Sequence, residues 1–388
     1  MPATAAELDR LGALDDGAFR AEVRAWVEAS YPADMVRHPA RRLFWRENKA
    51  WFERLAAQGW VAPGWPREHG GMGLPGSRQL IMIEELERFG AARVNDQGLI
   101  MLGPLLIQHG TDAQKAFFLP RILSGEHVWA QAYSEPEAGS DLAALRLDAA
   151  DGGDHWVLNG QKTWITLGTD ANWVFVLART NKTGKKQEGI SFLLLPTDSP
   201  GLTVRGITNL DGGDEYAEMF FEDVRVPKDM VVGEVDRGWT YAKALLGFER
   251  IAIGSPKLSS SGLARLKQLA EERGVAAEPE FVAAYRRHRM DLEDLKALYE
   301  RVVAAVKRGE MPNGEISVMK IVQTELFGRI TETMLSIGGG EAGLRHATEG
   351  GLHPAGMFLL ARPATIFGGS SEILRNIIAR GELGMPAK

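Results

Sequence analysis

Three polar, glycine-containing stretches hold the side chains best suited to chemistry. They read QAYSEPEAGSDLAALR (131–146), NGQKTWITLGTDANW (159–173) and PATIFGGSSEILRNIIAR (363–380). The first offers backbone N–H groups and the hydroxyls of Ser134 and Ser140, which suit a bound phosphate or polar heterocycle. The second places Trp164 beside Thr166 in a predicted strand, an aromatic ring next to a hydrogen-bonding hydroxyl. Taken singly, these patterns are more typical of a serine-capped turn and of a hairpin with a core tryptophan.

A carboxylate on a predicted helix is the candidate base. Glu249 shares a helix face with Leu245, Leu246, Ala252 and Ile253, which lie three or four residues away. An apolar face raises the pKa of a carboxyl group, and this suits a base that takes a proton from a weakly acidic C–H. The other interpretation is that Glu249 is a structural partner of an arginine.

Other common chemistries are absent from the sequence. The chain has no cysteine, which excludes disulfides, cysteine zinc sites, iron–sulfur clusters and a cysteine nucleophile. Its eight histidines do not cluster at metal-ligand spacing, so no metal site is predicted. There is no P-loop motif and no G-x-S-x-G nucleophile elbow.

Composition is that of an ordinary globular chain. The 388 residues are 45% hydrophobic and 25% charged, a size that allows two to three domains. The net charge of −6 lacks the basic footprint of a nucleic-acid binder. The N-terminal stretch MPATAAELDRLGALDD is acidic rather than signal-like, and no run of about 18 apolar residues occurs. We therefore expect a cytoplasmic protein with no membrane span and no nucleic-acid partner.

The elements that must position these residues fall into three regions. Helical periodicity predicts an N-terminal all-α domain over 1–125 and a C-terminal α-bundle domain over 236–388. Short apolar runs between turn residues predict a middle β domain over 126–235. Because strands are segregated from helices, the pattern favours an α+β multidomain chain over a Rossmann fold.

Two local patterns make sharper predictions. The sequence HWVLNGQKTWIT predicts a β-hairpin that turns at Asn159-Gly160, a pair typical of type I′ turns. In the C-terminal region a long helix is predicted to end near Gly309 and Pro312. Its apolar stripe is formed by Leu292, Leu295, Leu298 and Val302.

In this order and spacing, the SEP-x-AGSD and K-x-WIT motifs resemble those of the acyl-CoA dehydrogenase family. The resemblance covers the whole chain, including GWPREHGGMG and FEDVRVPKDMVVGE. It implies an N-terminal helical domain, a middle β-barrel or sandwich and a C-terminal four-helix bundle. It also implies bound FAD, α,β-dehydrogenation of an acyl-CoA thioester to the trans-2-enoyl-CoA, and transfer of electrons to an electron-transfer flavoprotein.

The resemblance assigns roles to individual residues. In the family, the residue that corresponds to Ser134 hydrogen-bonds to the pyrimidine side of the flavin, and the residue that corresponds to Trp164 packs along the flavin ring. The residue that corresponds to Thr166 lies near flavin N5, the atom that accepts the hydride. Ser140 matches a serine that touches both the FAD pyrophosphate and the pantetheine arm. The full set implied for the cofactor is Gln131, Tyr133, Ser134, Ser140, Trp164, Ile165, Thr166 and Ser370. The set implied for the substrate is Ser140, Arg250 and Gly368.

The sequence departs from the family pattern at the base. Many members carry a catalytic Glu where Gly368 stands here, and a second family location, before an arginine, corresponds to Glu249-Arg250. The resemblance therefore makes Glu249 the α-proton base, while the Gly368 N–H keeps a hydrogen bond to the thioester carbonyl.

A second departure concerns contacts to a neighbouring subunit's FAD. The family's Arg-x-x-Phe-Gly motif is missing from EERGVAAEPEFVAAY, and Leu335 stands where a Gln is usual. Some bacterial relatives with this pattern are α2β2 heterotetramers that act on steroid or other bulky acyl-CoAs, which predicts an oligomer with a second, similar subunit. The alternatives are a non-catalytic partner subunit and a flavin oxidase or monooxygenase of the same superfamily.

Overall fold

The computed structural model describes residues 4–39, 41–95, 97–210, 212–308, 310–344 and 353–386. Within these ranges it describes only the backbone at 244, 246–249, 252, 307 and 341. The chain divides into two compact units. The first comprises Met1–Met35 and Arg42–Leu245, and the second comprises Val36–Arg41 and Leu246–Lys388.

Helices form the N-terminal part of the first unit. They are α1 (Ala5–Ala13), α2 (Asp16–Ser30), α3 (Trp45–Gln58), α4 (Gly76–Phe89), α5 (Gly103–His109) and α6 (Asp112–Ser124), with a π-helical turn at Gln97–Leu102. Side chains of Thr4, Asp15 and Thr111 accept hydrogen bonds from backbone N–H groups at the starts of α1, α2 and α6. Glycines in the left-handed conformation end α3, α4 and α6.

One seven-stranded sheet follows. Its strands are β1 (Trp129–Ala132), β2 (Asp148–Asp151), β3 (His155–Thr166), β4 (Trp173–Arg179), β5 (Ile190–Pro196), β6 (Leu202–Ile207) and β7 (Tyr216–Pro227). The spatial order is β1-β4-β2-β3-β7-β6, and β5 pairs with β4. The pairs β1–β4 and β2–β4 are parallel and the others are antiparallel.

The predicted hairpin at Asn159-Gly160 is wrong. β3 runs without a turn through both residues, and both of its halves pair with the equally long β7. The register is irregular between Leu158 and Gly160, where Asn159 and Asp223 exchange two hydrogen bonds of 3.0 Å. Here Asn159 lies opposite two residues of β7, Glu222 and Asp223, so the bulge is in β7 and the Asn-Gly pair continues β3. The distant partner strand therefore overrides the turn preference of the pair.

The helical and β parts of the first unit share a core. Phe118 of α6 packs edge-on against Trp129 of β1 and Trp173 of β4. In the same buried cluster, Phe175 of β4 stacks on Phe192 of β5 at a centroid distance of 5.4 Å. Aromatic pairs of this kind stabilise a core beyond the area that they bury. The sheet is therefore anchored to the helices on this face.

The remaining helices are α7 (Gly238–Ile253), α8 (Lys257–Glu272), α9 (Pro279–Lys307), α10 (Asn313–Ala342), α11 (Pro354–Ala361) and α12 (Ser371–Gly381). Apart from the first half of α7, they belong to the second unit, where α8, α9, α11 and α12 pack on α10. The predicted end of the long helix is confirmed, and so is its stripe: Leu292, Leu295 and Val302 are buried, and Leu298 is partly buried.

The order of helices, sheet and helices confirms the predicted fold class. The limits of the three domains at 125 and 235 stay predictions. In the described ranges, no helix has the length and apolar character needed to cross a lipid bilayer.

Candidate functional site

A tight turn follows β1 and carries the first group of predicted site residues. The backbone N–H groups of Glu135 and Ala138 each donate to the other residue's carbonyl at 3.1 Å. Ser134, half-buried, precedes this turn, and Ser140, exposed, follows it. Neither hydroxyl has a hydrogen-bond partner within the part of the chain that the structure describes. Both hydroxyls are thus available to a ligand.

A bulge in β3 turns Trp164 outward. Trp156, Leu158 and Lys162, at even positions of the strand, are buried, whereas Gly160 between them is exposed. One extra residue between Lys162 and Ile165 shifts the register against β7 and reverses this alternation, so that Ile165 is buried. Trp164 adopts a φ of +60°, and its side chain is 61% exposed.

Trp164 has an aromatic neighbour, and a residue with a hydroxyl group follows it two positions along the strand. Its ring lies edge-on to Tyr216, at a centroid distance of 6.2 Å. The hydroxyl of Thr166, two residues along the strand, makes no hydrogen bond to any described residue. An exposed ring beside a free hydroxyl suits a planar heteroaromatic ligand.

β1 contributes Gln131 and leads directly into Tyr133. The Gln131 Nε2 atom is buried, and no described residue accepts a hydrogen bond from it. A buried amide donor without a partner costs free energy, which a bound acceptor would recover. Tyr133 is buried, with its ring edge-on to Phe175 and Phe192.

A buried ion pair that the sequence analysis did not identify joins the two segments. The Lys162 Nζ donates to Glu135 Oε1 at 2.8 Å and to the Tyr133 carbonyl at 2.9 Å. Burial lowers the pKa of Lys162 to about 8, and the nearby Glu135 carboxylate opposes that shift. A lysine at an inward-facing position of a strand is the sequence signal that points to such a pair.

The second group of predicted residues lies in the second unit. Glu249 is part of α7, but its side chain lies outside the described part of the chain. The neighbouring Arg250 donates from Nε to the Gly368 carbonyl at 3.3 Å. Gly368 and Gly369 have φ values of +65° and +95°, a region that favours glycine.

Two more side chains define the glycine turn. Lys320 is fully buried, and its Nζ donates to the Gly369 carbonyl at 2.9 Å. Ser370, predicted as a cofactor contact, accepts a hydrogen bond from the Ile373 N–H at 3.3 Å and so caps α12. Two cationic side chains therefore hold consecutive carbonyls of the turn, a role of Lys320 that the sequence analysis missed.

The structure thus groups the predicted residues in two sets. The first set, Gln131, Tyr133, Ser134, Ser140, Trp164, Ile165 and Thr166, lies on β1, on the turn after it and on the bulged half of β3. A hydrogen bond of 2.9 Å from the Thr163 N–H to the Ser134 carbonyl joins the turn to β3. Arg250, Gly368 and Ser370 belong to the other unit. Among the described residues, no group of three His, Asp or Glu side chains is placed to hold a metal ion.

Comparison with known proteins covers the whole chain. Models of the acyl-CoA dehydrogenase N-terminal, middle and C-terminal domains match residues 15–126, 130–224 and 236–383. The acyl-CoA dehydrogenase IpdE1 of Mycobacterium tuberculosis is 37% identical over 95% of this chain and 97% of its own length. The acyl-CoA dehydrogenase FadE26 of the same organism is 34% identical, with 86% of each chain covered.

Solved structures agree with the sequence relatives. The Tcur3481–Tcur3483 steroid ACAD superposes with a TM-score of 0.87 at 29% identity and covers 100% of this chain and 99% of its own. A chain of the ChsE4–ChsE5 complex from Mycobacterium tuberculosis gives a TM-score of 0.81 at 30% identity, with 100% and 99% covered. The three consecutive domain matches and the full-length relatives show that this chain belongs to the acyl-CoA dehydrogenase family of oxidoreductases.

Proposed function

We propose that this chain catalyses the FAD-dependent α,β-dehydrogenation of an acyl-CoA thioester to the trans-2-enoyl-CoA and passes the electrons to an electron-transfer flavoprotein. The observation that carries the proposal is the set of unused polar groups on β1, on the turn after it and on β3. The hydroxyls of Ser134, Ser140 and Thr166 have no partner among the described residues, and neither has the buried amide of Gln131. These groups lie within the two motifs that resemble the family's flavin-binding segments.

The residues of the first unit fit a flavin. Gln131 and Ser134 would bind the polar edge of the ring, Trp164 would pack along it, and Thr166 would donate a hydrogen bond where negative charge develops. The buried side chains of Tyr133 and Ile165 would fix the position of the backbone next to the cofactor. The exposed Ser140 hydroxyl would contact a phosphate group of FAD. When bound, FAD supplies the acceptor for two electrons and the hydrogen from the substrate β-carbon.

The residues of the second unit would handle the α-proton. The Glu249 carboxylate takes the proton from the α-carbon, and the N–H of Gly368 donates to the thioester carbonyl, where charge accumulates as that proton leaves. Arg250 holds the Gly368 carbonyl, so a change in the arginine would disturb the donor as well as the base. Lys320 supports the same turn through Gly369.

The test is anaerobic mixing of the flavin-loaded protein with acyl-CoA. Bleaching of the flavin absorbance, slow reoxidation in air and rapid reoxidation by an electron-transfer flavoprotein are expected. Rapid reoxidation in air would favour the alternative of an oxidase or monooxygenase. The absence of bleaching with every acyl-CoA would favour a non-catalytic partner subunit. A panel of short, long, branched and ring-bearing acyl-CoAs would identify the substrate class.

We also propose that the chain pairs with a second acyl-CoA dehydrogenase-like subunit in an α2β2 heterotetramer and acts on bulky, steroid-like acyl-CoAs. Leu335 in place of a polar family residue supports the pairing, and the similarity to the steroid ACAD and to the ChsE4–ChsE5 complex supports both. Flavin per chain should be low when this chain is purified alone and should rise when the second subunit is co-expressed. Full FAD occupancy in a homo-oligomer would contradict the pairing.

A further inference from the structure

The buried pair of Lys162 and Glu135 is unusually well connected. Lys162 has no exposed surface, and Glu135 is 8% exposed. Besides Lys162, the Glu135 carboxylate accepts hydrogen bonds from the backbone N–H groups of Arg146, at 2.6 Å, and Leu147, at 2.8 Å. Together with the bond from Lys162 to the Tyr133 carbonyl, the pair connects three separate segments.

Stability alone is a poor reason for such a pair. Taking a lysine and a glutamate out of water costs several kcal/mol, and apolar residues of similar volume often stabilise a core equally well. Buried ion pairs are better attested as devices that select one arrangement of the segments around them.

The segments that this pair connects carry the groups assigned above to the flavin. Lys162 is the last regularly paired residue before the bulge that turns Trp164 outward. Tyr133, whose carbonyl it holds, immediately precedes Ser134, and the Ser134 carbonyl accepts from the Thr163 N–H. A shift of the lysine would therefore move the serine hydroxyl and the tryptophan ring relative to each other.

We propose that Lys162 and Glu135 are positioning residues that hold Ser134 and Trp164 in the geometry that binds FAD. The inference rests on the proposed function. In this role the pair sets the relative position of the two segments that would hold the cofactor, and neither side chain of the pair would contact the cofactor itself.

The experiment compares Lys162→Met, Glu135→Gln and the double variant with the wild type, in whichever assembly binds FAD in the wild type. The readouts are the FAD dissociation constant from flavin fluorescence, the position of the flavin absorption bands, and Tm without FAD. We expect Lys162→Met to lower Tm, because the glutamate loses its counter-charge, and the neutral double variant to regain most of that loss. In Lys162→Met and in the double variant, FAD affinity should fall about tenfold and the flavin absorption bands should shift. The near-isosteric Glu135→Gln should show a smaller fall in FAD affinity.

Glu85→Gln is the matched control, because it also neutralises a buried carboxylate of the first unit. It should lower Tm and leave FAD affinity and the absorption bands unchanged. If the double variant regained wild-type FAD affinity together with its Tm, the positioning role would be overturned. Unchanged FAD affinity in Glu135→Gln would overturn it as well. If the wild-type chain binds no FAD in any assembly, the proposed function itself is wrong, and the positioning role falls with it.

Discussion

At the scale of a single residue, replacing Trp164 should weaken ligand binding without lowering the stability of the fold. Its ring is 61% exposed, so it contributes little to the core. Trp164→Ala should leave Tm nearly unchanged and weaken FAD binding about three- to tenfold, the amount expected from one lost aromatic contact. Flavin fluorescence titration and thermal melts measure the two effects. Leu210→Ala is the control, because Leu210 is 84% exposed and lies outside the proposed site, so neither quantity should change. Unchanged FAD affinity in Trp164→Ala would show that the ring does not contact the flavin.

Glu249 is the second residue whose role is testable by itself. Glu249→Gln keeps the size of the side chain and removes its basicity. The rate of flavin bleaching by acyl-CoA should fall about 10²- to 10⁴-fold, the usual contribution of a general base, while FAD affinity stays unchanged. Stopped-flow absorbance measures the rate. If turnover persists at the wild-type rate, the base is a different group.

At the scale of an element, Ser370 at the start of α12 both caps the helix and is a predicted contact to the cofactor. Ser370 caps this helix through the Ile373 N–H. Ser370→Ala should cost about 1 kcal/mol of unfolding free energy, whereas Ser370→Asp retains a capping oxygen and should preserve it. The measurement is chemical denaturation of both variants.

The same two variants test the cofactor role of Ser370. If Ser370 contacts FAD, an aspartate brings a carboxylate towards an anionic cofactor and weakens its binding while the cap is kept. Equal FAD affinity in Ser370→Asp and the wild type would contradict the predicted contact and leave capping as the function of the hydroxyl.

At the scale of the whole molecule, the buried carboxylate of Glu85 contributes to the acid stability of the first unit. Glu85 of α4 is buried and bonded to Arg20 and Arg24 of α2 and to Arg88. These arginines, Arg24 first, lower the pKa of Glu85 from 4.5 to about 2 despite its burial. Because the folded value lies below the ordinary one, the stabilisation is complete above about pH 4.5 and is lost as the pH falls towards 2.

Glu85→Gln should therefore reduce the unfolding free energy at neutral pH by about 1–3 kcal/mol, since the half-exposed arginines are screened by water. The deficit should shrink between pH 4.5 and 2, as the wild type loses the same interaction. Urea denaturation across this range tests the prediction. A deficit that does not change with pH would mean that the charge of Glu85 is not what joins α2 to α4.

Local patterns were enough to predict the order of helices, strands and helices, the stripe on α9 and the two motif segments. Each depends on periodicity or spacing over a few turns or strand residues, and burial of an apolar face follows from that periodicity directly. The same stretches made Ser134, Trp164 and Thr166 candidates for ligand binding, and the resemblance to the family assigned their roles.

Only the tertiary structure decided how those residues are presented. Asn159-Gly160 continues a strand because β7, more than fifty residues later in the chain, pairs with both halves of β3. The bulge that exposes Trp164 depends on the same partner, and the Lys162–Glu135 pair depends on a turn that precedes β3 by many residues. Strand register and buried ion pairs are set by groups far apart in the chain, so no short window of sequence contains both sides of the interaction.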